Sequence, residues 1–174
     1  MKRAAGPARG KRTTPGGVRA AVIGLGNMGR AHARLIADGA VPGLRLAAVC
    51  DPDPAEFEAF PGARGFTQAA EMLRSGCADA LVIATPHYSH VPLGIAALQA
   101  GWHVLVEKPI AVDKAGALKL AAAPRTRRQV FAAMFNQRTN PAHLRVRELV
   151  RGGAMGAVRR VSWTVTHWFR TEAY

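Results

Sequence analysis

From Val18 onward, short apolar runs alternate with longer stretches whose residues favour helix. Val18 to Ile23 is one such run, followed by GLGNMG and then by helix formers from Asn27 to Ala37, which reads as strand, tight turn and helix. A second run, Leu44 to Cys50, stops at Asp51-Pro52-Asp53, because a proline cannot continue a central strand. These pieces form one β-α-β unit. The same alternation predicts a helix over Gln68 to Arg74, a strand over Ala80 to Ala84 and a helix over His90 to Ala100. It then predicts a strand over His103 to Val106, a helix over Val112 to Ala122 and a strand over Val130 to Met134. Strands separated by helices at this spacing imply a parallel sheet covered on both faces, with right-handed crossovers. The expected fold class is α/β, a doubly wound parallel sheet over residues 18–137.

After Gln137 the pattern changes. Asn140-Pro141 opens a helix that runs to about Arg151, where Gly152-Gly153 stops it. From Val158 to His167 the chain alternates, with Val161, Trp163, Val165 and His167 on one side and Arg160, Ser162, Thr164 and Thr166 on the other. That is the period of a strand with one buried face. Such a strand needs partners, and a single strand beside one helix makes no stable sheet. Residues 138–174 therefore read as the start of an incomplete α+β substrate domain, with self-association or mobility expected over 155–174.

Composition changes this picture little. About half of the residues are apolar, enough to bury a core, whereas the formal charge of +13 raises nucleic acid, an anionic membrane or an acidic ligand as partners. The distribution of the charge argues against the first two. Lys2, Arg3, Arg9, Lys11 and Arg12 lie in a leader, residues 1–17, whose Gly, Pro and Thr content predicts disorder. The later arginines are dispersed and lack interleaved aromatics, so they read as solvated faces and no specific nucleic-acid partner is expected. No apolar run approaches the roughly 20 residues that span a bilayer, and the basic start lacks an apolar segment and cleavage site, so the expected location is cytoplasmic. Cys50 and Cys77 are neither closely spaced nor joined by a His or Cys cluster. Two buried thiols are expected, with no disulfide framework and no metal.

The chemistry begins at the glycine turn. Gly24, Gly26 and Gly29 make GxGxxG between strand and helix, around Asn27 and Met28. The first glycine allows the tight turn, the second lets backbone approach a pyrophosphate, and the third lets helix pack on strand. The free amides at the helix start then meet the phosphates. This identifies a Rossmann dinucleotide site, and Asp51, 22 residues after Gly29, ends the second strand where a carboxylate accepts hydrogen bonds from the adenosine ribose. A carboxylate there repels a 2'-phosphate, so NAD is expected in preference to NADP. The plainer reading of Asp51 is that it only begins the turn before Pro52.

Further along stand IATPHYSH and ALQAGWHVLVEKP, and with VIGLGNMGRAHA, DPDP and NQRTNPA these resemble the Gfo/Idh/MocA family, the glucose-fructose oxidoreductase and inositol dehydrogenase type. The resemblance runs from about Val18 to the last residue. It implies that Thr85, Pro86 and His87 line the nicotinamide half of the cofactor, with His90 starting the next helix beside it, and that Glu107 lies near the nicotinamide ribose. It also implies that Lys108 is the catalytic lysine, reaching substrate, and that Asn136 and Arg138 bond substrate hydroxyls. The alternatives are a solvent lysine paired with Glu107, imidazoles that cap or bond backbone, and a structural turn at Asn136 and Arg138. His167, Trp168 and Arg170 resemble a substrate-domain strand and its loop, where a role on the sheet face is the simpler reading.

Family members continue into an open mixed sheet carrying a further catalytic Asp or His pair, which this sequence lacks. Two functions are therefore expected: an NAD-dependent oxidoreductase acting on a sugar, polyol or related secondary alcohol, or a truncated module that binds NAD without turnover. The full-length form is expected to be a homo-oligomer.

Overall fold

In the computed structural model, the described residues are 17–124, 126 and 128–164. Among them, β1 (Val18–Ile23), β2 (Leu44–Cys50), β3 (Arg64–Phe66), β4 (Ala80–Ile83), β5 (His103–Val106) and β6 (Phe131–Ala133) form one sheet in the order β3-β2-β1-β4-β5-β6. Every neighbouring pair is parallel. The order reverses between β1 and β4, which is the topological switch point of a doubly wound fold. Four helices connect the strands: α1 (Asn27–Ala37), α2 (Ala69–Arg74), α3 (His90–Gln99) and α4 (Lys114–Ala122).

Period-two alternation explains how both faces are buried, because successive side chains of a strand point to opposite sides. Ala20 and Val22 of β1 join Val49 and Val82 against Ala33 and Ile36 of α1. Ala21 and Ile23 join Leu81, Ile83, Val104 and Val106 on the other face, with Ala97 and Leu98 of α3 and Leu120 of α4. The fold is thus an α/β Rossmann domain, as the alternation of runs implies.

The pattern missed two short pieces beside β2. β3 is three residues long, too short for a period to register. A 3-10 turn over Pro54–Ala59 is capped by Asp53, whose carboxylate accepts the Ala55 amide at 3.0 Å. Cys50 is buried, and burial pushes its thiol up to about 11, with the charge of Asp51 adding to the effect. Cys77 corrects the expectation of two buried thiols. It lies just past the turn that ends α2 and is half-buried.

The described residues divide into two compact units, with the break between Met134 and Phe135. The second unit contains a 3-10 turn over Asn136–Arg138 and α5 (Pro141–Arg151), whose N-cap Asn140 accepts the Ala142 amide at 2.9 Å. The expected strand from Val158 to His167 is not found over 158–164, which carry no regular structure. Alternation marks the face that a strand would bury, but a ladder also needs a partner for its amides and carbonyls. Val161 and Trp163 are 78% and 68% exposed, and the Trp163 ring lies 4.8 Å from that of His143. Val165, Thr166, His167, Trp168 and Arg170 lie outside the described residues, as does the leader through Gly16. No helix among the described residues is long and apolar enough to cross a membrane.

Candidate cofactor site at the carboxyl ends of the strands

The glycine turn links β1 to α1 at the switch point. Gly24 has φ of +84°, and a Cβ there would lie 2.8 Å from the Ala84 carbonyl oxygen. A Cβ on Gly29 would lie 1.7 Å from the Gly24 carbonyl oxygen, so only glycine lets α1 pack this closely. Gly26 differs, because a Cβ there would meet nothing within 4 Å. It borders open space at the N-cap of α1, and the first turn of that helix holds neither an acidic residue nor a side-chain cap. Backbone amides at such a helix start attract an anion.

Two adjoining clefts lie here and share Thr85. One, of about 250 Å³, is bordered by Gly26, Asn27 and Met28 of the turn, by Thr85, His87 and His90 after β4, and by Glu107 and Lys108 after β5. The other, of about 240 Å³, is bordered by Gly24, Asp51, Pro52, Thr67, Thr85 and Pro86, among others. A larger cavity of about 540 Å³ lies at the opposite end of β2, near Ile36, Arg45 and Phe60. It is remote from the glycine turn and the strand ends, where ligands bind in this class of sheet, so its size does not make it the site.

The polar groups around the clefts are largely engaged with one another. Asp51 accepts the Leu25 amide at 2.7 Å and the Asp53 amide at 3.0 Å. It therefore begins the turn before Pro52 and also ties β2 to the glycine turn, while a carboxylate has four acceptor positions and keeps capacity for a hydroxyl. His90 is fully buried, with Nδ1 2.8 Å from the Pro109 carbonyl oxygen and Nε2 2.9 Å from that of Thr85. The backbone-bonding reading of this imidazole is the one observed, and it joins the turn after β4 to the turn after β5. His87 is exposed, edge-on to His90 with ring centres 5.6 Å apart.

Glu107 is 6% exposed, and its Oε1 lies 2.7 Å from His32 Nε2 while Oε2 accepts the Lys108 amide at 3.1 Å. The Lys108–Glu107 side-chain pair weighed from sequence is thus replaced by a His32–Glu107 pair. Lys108 itself is exposed at the cleft edge, before a cis bond to Pro109. His32 was not singled out from sequence. It follows Gly29 by three positions, beside the stripe of Gly29, Ala33 and Ile36 that α1 buries, and that helical spacing is the signal that marks it.

Asn136 and Arg138 belong to the second unit. Both are exposed; the Asn136 carbonyl oxygen accepts from the Thr139 hydroxyl at 2.9 Å, and the Arg138 guanidinium lies 6.0 Å from the centre of the Phe135 ring.

A dinucleotide fits what is present. The Thr85 hydroxyl is buried at the junction of the two clefts with no partner among the described residues, and a buried unpaired hydroxyl is costly unless a ligand completes it. Gly26 keeps the space beside uncapped amides clear, and Asp51 stands at the end of β2.

Comparison with known proteins agrees with this geometry. The chain is 36% identical over 140 residues to an inositol 2-dehydrogenase of Rubrobacter xylanophilus, covering 78% of this chain and 40% of that protein. It is 32% identical over 143 residues to the uncharacterized oxidoreductase YdgJ of Escherichia coli, covering 81% and 41%. A structure of scyllo-inositol dehydrogenase from Lactobacillus casei, with bound NAD(H) and scyllo-inositol, superposes with a TM-score of 0.73 at 28% identity, over 80% of this chain and 42% of that one. The chain thus spans about two fifths of the length of these relatives. Residues 18–135 match the sequence model of GFO_IDH_MocA, the oxidoreductase family with an NAD-binding Rossmann fold. With the glycine turn, the switch-point clefts and the strand order all of that type, the chain belongs to the Gfo/Idh/MocA oxidoreductase family.

Proposed function

We propose that this chain is the cofactor-binding part of an NAD-dependent oxidoreductase that interconverts a secondary alcohol of a polyol or sugar with its ketone, with Lys108 as the catalytic residue. The observation that carries the reading is the shared cleft. Lys108, Thr85 and Glu107 border the same space as the glycine turn, so a polar cation stands where a dinucleotide would end. The inositol dehydrogenases among the relatives support the substrate class.

In this reading, the turn amides at Asn27 and Met28 take the pyrophosphate, Asp51 the adenosine ribose, and the Thr85 hydroxyl a polar group of the cofactor. Pro86 and His87 line the nicotinamide half. NAD, when bound, supplies the acceptor of the hydride. The Lys108 amine accepts the substrate hydroxyl proton as the carbon gives up its hydride, and in the reverse direction its ammonium returns that proton to the carbonyl oxygen, while Glu107, held by His32, fixes the backbone from which Lys108 extends. Asn136 and Arg138 supply hydrogen bonds to substrate hydroxyls.

Fluorescence titration with NADH and a turnover assay on myo- and scyllo-inositol test this. NADH binding that Gly26→Trp abolishes is expected, with turnover that falls about 100-fold or more in Lys108→Ala. Full turnover in Lys108→Ala would remove the lysine from the chemistry. NADH binding without turnover in the unmodified chain would instead favour a module that holds the cofactor only.

A further inference from the structure

Arg30 lies at the end of the first turn of α1, directly after the glycine turn. Arg30 follows Gly26 by one turn, and its amide donates to the Gly26 carbonyl at 2.9 Å. Its guanidinium forms a two-pronged pair with Glu56 of the 3-10 turn after β2, Nε donating to Oε2 at 2.6 Å and a terminal nitrogen donating to Oε1. That turn is hung on Asp51 by two links: the Asp53 amide donates to Asp51, and the Glu56 amide donates to the Asp53 carbonyl at 3.3 Å. The hydrogen bond and charge of Glu56 hold the Arg30 guanidinium above its ordinary range, and Asp51 and Asp53 add to this. Through that turn the Arg30–Glu56 pair is joined to Asp51, the carboxylate assigned to the adenosine ribose.

We infer that Glu56 is a specificity-determining residue that keeps this site selective for NAD by occupying Arg30, the guanidinium that would otherwise pair with the 2'-phosphate of NADP. The inference rests on the proposed placement of the adenosine ribose at Asp51. The chemistry follows from what a 2'-phosphate needs. Sites of this fold that accept NADP place an arginine near the 2'-position, and a guanidinium binds phosphate best through two parallel N–H groups. Here two donors of Arg30 are committed to Glu56, and a 2'-phosphate would also face Asp51. The selectivity thus has two layers, repulsion by Asp51 and sequestration of Arg30. Only the second depends on a residue outside the glycine turn and the end of β2.

Dissociation constants of NADH and NADPH, measured by fluorescence titration on the whole 174-residue chain, test this in four proteins: unmodified, Asp51→Ala, Glu56→Gln and Arg30→Met/Glu56→Gln. Exposed pairs contribute little to stability, and a thermal melt checks that each variant folds. The unmodified chain is expected to favour NADH, and Glu56→Gln to narrow the NADPH/NADH ratio of dissociation constants about tenfold by tightening NADPH. Adding Arg30→Met is expected to widen the ratio again. A ratio unchanged by Glu56→Gln, while Asp51→Ala narrows it, overturns the inference and leaves the ribose assignment standing. A narrowing that persists without Arg30 also overturns it, because simple loss of repulsion would then suffice. If the unmodified chain binds both cofactors equally, the NAD preference and the inference fall together.

Discussion

Glu107 is a buried carboxylate at the edge of the candidate cofactor cleft, and such a group is tolerated only when its oxygens are partnered. One partner is its neighbour's amide and the other is His32, which comes from a different strand-helix unit. Removing His32 strands Oε1 in a site that is 6% exposed. His32→Ala is expected to cost about 1–3 kcal/mol, the penalty for orphaning a buried polar group, and urea midpoints measure it. Because the imidazole holds the carboxylate rather than touching the reacting atoms, His32→Gln, which can still donate, should recover most of that loss. A His32→Ala protein as stable as the unmodified one would mean that water replaces the imidazole at no cost. His90 teaches the complementary lesson. An imidazole at the edge of a cleft invites a chemical role, yet both of its nitrogens face backbone carbonyls.

At the scale of elements, the strand, turn and helix from Val18 to Ala37 act as a unit because the glycines remove side chains where backbone meets backbone. The clearest case is Gly29. The shortfall at 1.7 Å cannot be relieved by a rotamer change, because the opposing atom is the Gly24 carbonyl oxygen. Gly29→Ala is therefore expected to push α1 away from β1, lowering the thermal midpoint by several degrees and weakening NADH binding at least tenfold. Calorimetry and titration read the two effects. Gly26→Ala makes the contrast, since its Cβ meets no protein atom within 4 Å and should impair binding with little loss of stability. Residues 158–164 show the converse, since their alternation marks a face to bury yet no regular structure forms.

Across the first unit as a whole, the sheet is tied at its amino-terminal edge as well as at the cleft. The Arg19 amide and side chain both bond Asp79, and the Asp79 amide returns a bond to the Arg19 carbonyl, joining β1 to the turn before β4. The hydrogen bonds from Arg19 hold the Asp79 carboxyl below its ordinary range. A carboxyl depressed in the folded state adds stability above its unfolded value, near 3.9, and that contribution is lost as pH falls through the lower folded value. Both side chains are over a third exposed, so solvent screening holds the contribution to roughly 1 kcal/mol or less. Asp79→Asn should accordingly lower the urea midpoint slightly at pH 7 and converge with the unmodified protein once pH has fallen through the depressed folded value of the carboxyl. Divergence that grows in acid would reverse the assigned sign.

How much was legible in the chain follows from how far apart the interacting residues stand. Strand, turn, helix and the acidic end of β2 could be read directly, because GLGNMG encodes its own geometry over six residues and Asp51 lies at a spacing set by one helix and one strand. The alternation of apolar runs with helix-forming stretches likewise implies a parallel sheet covered on both faces. The pairs His32–Glu107 and Arg30–Glu56, 75 and 26 residues apart, leave no periodic trace, since side chains meet there only after the strands take the order β3-β2-β1-β4-β5-β6. Resemblance marked Glu107 and Lys108 as neighbours of the nicotinamide, but packing decided that the carboxylate turns inward to His32 while the lysine stays at the cleft edge. The segment from Val158 separates the two kinds of information most sharply. Alternation along one chain specifies which side chains a strand would bury, whereas hydrogen bonds to a second strand, which no local pattern contains, decide whether it forms.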